Sequence, residues 1–381
     1  LRRKVVIIVG LIVGLAGLIW WAMPVYLRNA LLHGYANLDD YKIFPNNEVL
    51  ANNSQPWPVA ENYNQQPIPS AFLRWIQYYH TTAFVVVREG RLVHESYYRG
   101  YSASTISNSF SMAKSIVSLL VGCAIKDGCI DSVEAPVARY FIPYNTPQNQ
   151  SLKIIHLLTM SSGLSWDERY SSPFSLTTQA YYGNNLRDLM ASLHVVDTPG
   201  KRFRYLSCNT QILSYVLEDA TGKDIARYAQ EKLWQPLGAT HTALWSTDRA
   251  GGDEKAYCCF FATATDFARI GQLILNHGRW NGVTIVDSGY LAHATRPAIW
   301  LLNEKGTAPL NYYGYHFWIL HYKNHPVILL QGLGGQYVMA IPDWQMVVVR
   351  LGEKRCYYKF NSIPCDVYIW LLLADKLTQP N

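Results

Sequence analysis

Several kinds of residue are scarce in this sequence, and each shortage removes a class of function. Charged residues make up only 16% of its 381 positions, and no basic block follows Arg2-Arg3-Lys4. Those three supply half of the formal net charge of +6, leaving +3 on everything after the first apolar run. Such a chain has no electrostatic footprint for a phosphate backbone, which argues against nucleic acid as a partner. The seven cysteines, Cys123, Cys129, Cys208, Cys258, Cys259, Cys356 and Cys365, include no CxxC pair and have no histidines at zinc spacing. No metal and no other cofactor is therefore expected. Cys356 and Cys365 bracket a loop, and both a disulfide in an oxidising compartment and buried free thiols are open to them. An odd total leaves at least one thiol unpaired unless chains link. No segment repeats another.

Apolar and aromatic residues are plentiful. Hydrophobic content of 49%, with 12 Trp and 27 Tyr, suits a globular body with a large core and concave sites for organic ligands. Val5 to Met23 carries no charge, and at helical rise it spans roughly 28 Å, close to the hydrocarbon thickness of a bilayer. Arg2-Arg3-Lys4 precedes it and Trp20-Trp21 lies near its far end, so residues 1–23 are expected to form a transmembrane anchor. The positive-inside rule then puts the remainder on the extracytoplasmic side, periplasmic or extracellular. A cleaved signal peptide with secretion is the alternative. Residues 24–69, rich in Asn, Pro, Gln and Tyr, are expected to be a linker or wrapping segment, and residues 70–381 the body.

Strands are expected at 82–87 and 92–98, joined by a Glu89-Gly90 hairpin turn, and again at 327–331, 336–341 and 347–351. Helices are expected at 72–79, 152–160, 211–220, 262–276 and 366–376, with polar, aromatic loops from 164 through Tyr182. Strands at both ends around a helical middle imply an α/β chain of the α+β type, with one sheet assembled from distant segments. Between the first hairpin and the helical middle lies Ser111-Met112-Ala113-Lys114, at the front of an apolar run. On a helix, positions i and i+3 share a face, so a partly desolvated Lys114 can act as a base toward the Ser111 hydroxyl. With 24 Ser and 14 Lys, chance alone supplies about one Ser-x-x-Lys. The motif gains weight only from its company.

That company is His156-Leu157-Leu158-Thr159-Met160-Ser161-Ser162-Gly163-Leu164, then Tyr205-Leu206-Ser207. Ala262-Thr263-Ala264-Thr265-Asp266-Phe267-Ala268-Arg269 and the late Gly332-Leu333-Gly334-Gly335-Gln336 follow in order. Together they resemble the serine β-lactamase and penicillin-binding protein superfamily over about residues 70 to 375. The branch is that of class C β-lactamases, esterases and 6-aminohexanoate-dimer hydrolases. The resemblance implies a β-lactamase/transpeptidase-like fold, an antiparallel sheet flanked by helices with an inserted helical subdomain. It implies Ser111 as nucleophile, Lys114 as proton acceptor, and Tyr205 as a tyrosinate or a proton relay. The oxyanion would rest on the backbone N–H of Ser111 and of Leu333, with Tyr170, Ser207, Gly335 and Gln336 touching substrate.

Two departures bear on substrate. The family's Tyr-x-Asn is Tyr205-Leu206-Ser207 here, and the late Lys-Thr-Gly has no counterpart, so the amide and the cation that grip β-lactams are missing. The expectation is a membrane-anchored serine hydrolase acting on a small ester or linear amide. The alternatives are a DD-peptidase or weak β-lactamase, and a non-catalytic ligand sensor on the same fold. His156, His316, His321 and His325 are expected to be packing or surface residues, and Asp266 with Arg269 a structural pair.

Overall fold

The computed structural model describes residues 2–379. Its centre is a six-stranded antiparallel sheet in the order β3-β2-β12-β11-β10-β9. The strands are β2 (Thr81–Arg88), β3 (Arg91–Tyr97), β9 (Trp318–Tyr322), β10 (His325–Gly332), β11 (Gln336–Ile341) and β12 (Met346–Gly352). β2 pairs with β12 across two hundred and more intervening residues, Val85 opposite Val349, which closes the two ends of the chain into one sheet.

The strands read as unbroken apolar runs because both faces of the sheet are covered. Val85, Val87, Val338, Val347 and Val349 turn into one core, which also holds α4 (Met112–Lys126) and α10 (Ala264–Leu275). Their neighbours Phe84, Val86, Tyr337, Met339 and Val348 turn into a second core with α3 (Ser70–Tyr78) and α12 (Asp366–Thr378). α10 lies so close to the sheet that a Cβ added at Gly271 would stand 2.5 Å from Val347 Cγ1. α4 runs through the first core with every residue from Met112 to Ala124 buried.

A smaller antiparallel sheet, β1-β5-β6-β4, flanks the first core. It is built from β1 (Asn46–Val49), β4 (Ser107–Asn108), β5 (Ala243–Ser246) and β6 (Phe260–Ala262). A surface hairpin of β7 (Arg279–Trp280) and β8 (Val283–Thr284) completes the strands named here. The helical middle holds α5 (Ile154–Leu158), α6 (Leu176–Tyr182), α7 (Leu186–Ala191), α8 (Cys208–Thr221) and α9 (Ile225–Ala229), with α11 (Ser288–Ala294) after the β7/β8 hairpin. The N-terminal run is α1 (Arg2–Ala22), long and apolar enough to cross a membrane and with none of its residues buried.

The structure adds elements the sequence pattern did not show. Residues 24–69 hold α2 (Val25–His33) and β1, whose Asn46-Asn47-Glu48-Val49 carries little strand character and is held by pairing with β5. The stretch expected as loop through Tyr182 contains α6, capped by Ser175 Oγ accepting from Thr178 N–H at 3.2 Å. Strand β9, Trp318–Tyr322, was not among the expected strands and pairs antiparallel with β10. Cys356 and Cys365 are joined, as are the adjacent Cys258 and Cys259, while Cys123, Cys129 and Cys208 are free.

One buried cation braces the late glycine turn. From β12, Arg350 Nη1 donates to the carbonyls of Gly334, Gly335 and Lys354 at 3.1, 2.9 and 3.1 Å. Its Nη2 reaches Tyr79 O at 2.6 Å and Thr81 Oγ1 at 3.0 Å. Burial pushes the guanidinium down to about 10, which still leaves it charged at neutral pH. Gly334 and Gly335 have φ of 70° and 89°, a region that glycine enters without strain. Replacing Arg350 by Met strands several buried carbonyls and is expected to lower unfolding free energy by about 3 kcal/mol or more. Urea denaturation measures this, and an unchanged midpoint would mean that the turn is held by other contacts.

Candidate active site

The site begins where β4 hands the chain to α4. Ser109 N–H donates to Phe260 O at 2.8 Å, and Phe110 then takes a φ of 44°, uncommon for a phenylalanine. That bend leaves Ser111 as the N-cap of α4 rather than a residue of its first turn. Lys114, one turn on and 2% exposed, points its amine back at the hydroxyl. Lys114 Nζ lies 3.0 Å from Ser111 Oγ and donates to Tyr257 O at 2.8 Å. Burial holds the amine down at about 8, against the opposing pull of Glu168. At neutral pH about a tenth of such a lysine is unprotonated, enough to take a proton from a serine.

Tyr205 closes the group. Its ring stacks on Trp318 at 5.7 Å between centroids, and Lys114 Nζ lies 5.3 Å from its centre. Burial pushes the phenol well above its ordinary value, outweighing the opposing influence of the nearby Ser111 hydroxyl. Of the two roles the resemblance allowed, this environment favours the protonated phenol, a proton donor, over a tyrosinate. The structure therefore brings Ser111, Lys114 and Tyr205 together, Ser111 and Lys114 by a hydrogen bond and Tyr205 by packing beside the amine at the same cavity.

A carboxylate organises the wall beside it. Glu168 Oε2 accepts from Ser207 N–H and from Trp166 Nε1, and Oε1 from Ser207 Oγ, each at 2.6 Å. The Tyr170 hydroxyl also donates to Glu168 Oε1. Ser207, expected to touch substrate, lines the cavity but spends its hydroxyl on Glu168. Tyr170 stands at the rim with its ring exposed.

The late turn supplies the opposite wall. Gly332 and Leu333 line the cavity, and a Cβ at Gly332 would meet Ser109 O at 2.3 Å, so this backbone abuts the one leading to Ser111. Gly335 and Gln336, expected at the substrate, are placed differently. Gln336 is fully buried, with Nε2 donating to Leu333 O at 3.0 Å and Oε1 accepting from Gly352 N–H at 3.2 Å. It brackets the turn from behind, and Gly335 lies against Arg350. Gln331 faces the cavity instead, its enclosed amide oxygen without a partner.

Sequence reasoning missed Tyr257, Glu168 and Gln331. The Tyr257 contribution is a backbone carbonyl, which carries no side-chain signal. Glu168 was visible only as a neighbour of Tyr170. Cys258 and Cys259, joined to each other directly after Tyr257, tie that backbone into a tight ring at the cavity wall. The histidines do not cluster. His156 Nδ1 accepts from Lys153 N–H, His316 is buried with Nε2 3.0 Å from Thr210 Oγ1, and His321 is exposed. No group of residues suited to a metal occurs among the described residues. Asp266 and Arg269 pair inside the core at 3.1 Å.

These parts surround a cavity of about 530 Å³. Residues 74–355 match the family described as Beta-lactamase, well over half of the chain. The chain belongs to the Beta-lactamase family. The 6-aminohexanoate-dimer hydrolase of Paenarthrobacter ureafaciens is 26% identical over 291 residues, 72% of this chain and 72% of that protein. A Bacillus anthracis protein provisionally assigned as a 6-aminohexanoate-dimer hydrolase superposes with a TM-score of 0.72 at 21% identity. The match covers 94% of this chain and 100% of that one. A family VIII carboxylesterase gives 0.65 at 16% identity, covering 84% and 99%. At such identities the structural matches establish the β-lactamase/transpeptidase-like fold, and amide hydrolases and carboxylesterases are among the Beta-lactamase family's members.

The buried amine sets a pH dependence. Lys114 accepts a proton only when neutral, and its value in the folded protein is about 8. Inactivation by a fluorophosphonate should therefore accelerate about tenfold per pH unit as pH rises toward 8, then level off. A rate constant that stays flat from pH 6 to pH 9 would show that Lys114 is not the base.

Proposed function

We propose that this Beta-lactamase family chain is a membrane-anchored serine hydrolase that cleaves esters or linear amides through an acyl-serine intermediate. The observation that carries the proposal is the 3.0 Å contact between Ser111 Oγ and a buried Lys114 amine held at about 8. Ser111 Oγ attacks the substrate carbonyl while its proton passes to Lys114 Nζ. The resulting oxyanion rests on the backbone N–H groups of Ser111 and Leu333. Collapse breaks the ester or amide bond, and the leaving alcohol or amine takes the Tyr205 hydroxyl proton, replaced from Lys114. Water then attacks the acyl-serine by the reverse route and releases the acid. The relatives' amide and ester chemistries support this range. α1, with Arg2-Arg3-Lys4 before it, serves as the anchor and leaves the body on the extracytoplasmic side.

A second reading has one observation behind it. No lysine or arginine stands in β10, but Arg355 lines the cavity from the loop after β12 and offers a partner for a carboxylate. That favours a peptide terminus or β-lactam as substrate. Covalent capture of labelled penicillin, lost in both Ser111→Ala and Arg355→Ala, would support it, and capture in neither wild type nor variant would reject it.

A panel of p-nitrophenyl esters, short amides and nitrocefin, run with Ser111→Ala beside wild type, tests the leading proposal. Turnover of at least one ester or amide should vanish in Ser111→Ala, and equal rates in both proteins would reject the proposal. Tyr205→Phe separates the roles further. It should slow amides about 100-fold, because an amine must be protonated to leave, and p-nitrophenyl esters less than about tenfold. Equal losses on both would remove Tyr205 from leaving-group protonation.

A further inference from the structure

The cavity is roofed by the residues that follow the apolar N-terminal helix. Ala30, Gly34, Tyr35 and Ala36, from α2 and the turn after it, are part of its lining. α2 is fastened to the body at this point. Asn29 Nδ2 donates to Tyr182 O and the Tyr182 hydroxyl to Gly34 O, both at 2.9 Å, while the His33 and Tyr182 rings stack at 6.3 Å. Ala22, the end of α1, and Ala30 are eight residues apart with a break at Met23-Pro24 between the helices, a separation of at most about 16 Å. The polar layer on each side of a bilayer is roughly 5 to 8 Å deep. A chain anchored by α1 thus holds the mouth of its cavity close to the lipid headgroups.

The segments that line that mouth carry exposed apolar side chains. Leu31, Leu32 and Tyr35 are 66%, 64% and 80% exposed. Phe174, 74% exposed, adjoins the lining residue Pro173. Tyr358 and Phe360, 79% and 70% exposed, flank Lys359, which also lines the cavity. Three segments far apart in sequence therefore supply lining residues to one cavity, and each carries exposed apolar or aromatic side chains beside them, with a basic residue among them, a composition suited to the interfacial zone of a membrane.

We infer that the substrate is a membrane-resident acyl ester or acyl amide, whose apolar chain passes from the bilayer into the cavity beneath α2 while its carbonyl meets Ser111. The inference rests on the serine hydrolase reading and on α1 acting as an anchor. The bond broken joins the acyl group to its alcohol or amine. That leaving group departs with a proton toward the headgroup side, and water supplies the hydroxyl that completes the released acid. Among the lining residues, Phe110, Tyr181 and Trp318 offer the chain an apolar path.

The test uses the full chain reconstituted in phosphatidylcholine and phosphatidylglycerol vesicles, with soluble p-nitrophenyl acetate and vesicle-embedded p-nitrophenyl palmitate as substrates. Wild type should cleave both. Leu31→Glu/Leu32→Glu, and separately Phe174→Glu, should lower palmitate turnover by about fivefold or more while leaving acetate turnover within about twofold. Cleavage of acetate without palmitate would overturn the inference and leave the hydrolase reading standing. So would variants that slow neither substrate, or that slow both equally. Cleavage of neither ester by wild type would overturn the hydrolase reading and this inference with it.

Discussion

Lys114 keeps its amine out of water, and the chemistry available to this site follows from that single placement. An ammonium at that position gives up its hydration and receives one backbone carbonyl and one hydroxyl in exchange. The shift from an ordinary lysine value of 10.5 to about 8 corresponds to roughly 3 kcal/mol against the charged form. Glu168 opposes the shift from a distance, and its own oxygens are occupied by Ser207, Trp166 and Tyr170. The amine is left poised between charge states, which is the condition for moving a proton off Ser111 and later onto a leaving group.

The two cores on either side of the sheet make that placement possible. α4 is buried along almost its whole length, so Lys114 has no route by which to snorkel to solvent. Ser111 is set at the head of the same helix by the short β4/β6 pairing and the bend at Phe110. From the other end of the chain, Arg350 and Gln336 hold the glycine turn against Ser109, so that two remote backbones meet at one cavity. α2 roofs that cavity, and the cavity is therefore complete only when the segment after the apolar helix is in place.

The parts that sequence could show were those with a period or a fixed spacing. Continuous valine runs announced the central strands, and Ser111 with Lys114 stood one turn apart before an apolar helix. Their order along the chain, together with Tyr205 and the late glycines, carried the family resemblance that residues 74–355 bear out. Contributions from the backbone left no such trace. Tyr257 acts through a carbonyl, β1 exists because β5 pairs with it, and α2 was hidden in a segment whose composition reads as linker. Ser207 and Gln336 show a different limit: the polar atoms expected at substrate are engaged by Glu168 and by the Gly352 backbone. Sequence shows which residues are near a site and is silent on which of their hydrogen bonds are already taken.

The central claim is that Ser111 carries the acyl group. Rapid acid quenching of the protein during turnover of a p-nitrophenyl ester, followed by peptide mass mapping, reads this directly. The acyl mass should appear on the peptide containing Ser111 and, when an amide is the substrate, accumulate less in Tyr205→Phe, where expulsion of the amine is slowed. An acyl group found on any other residue, or none during demonstrable turnover, would contradict the account.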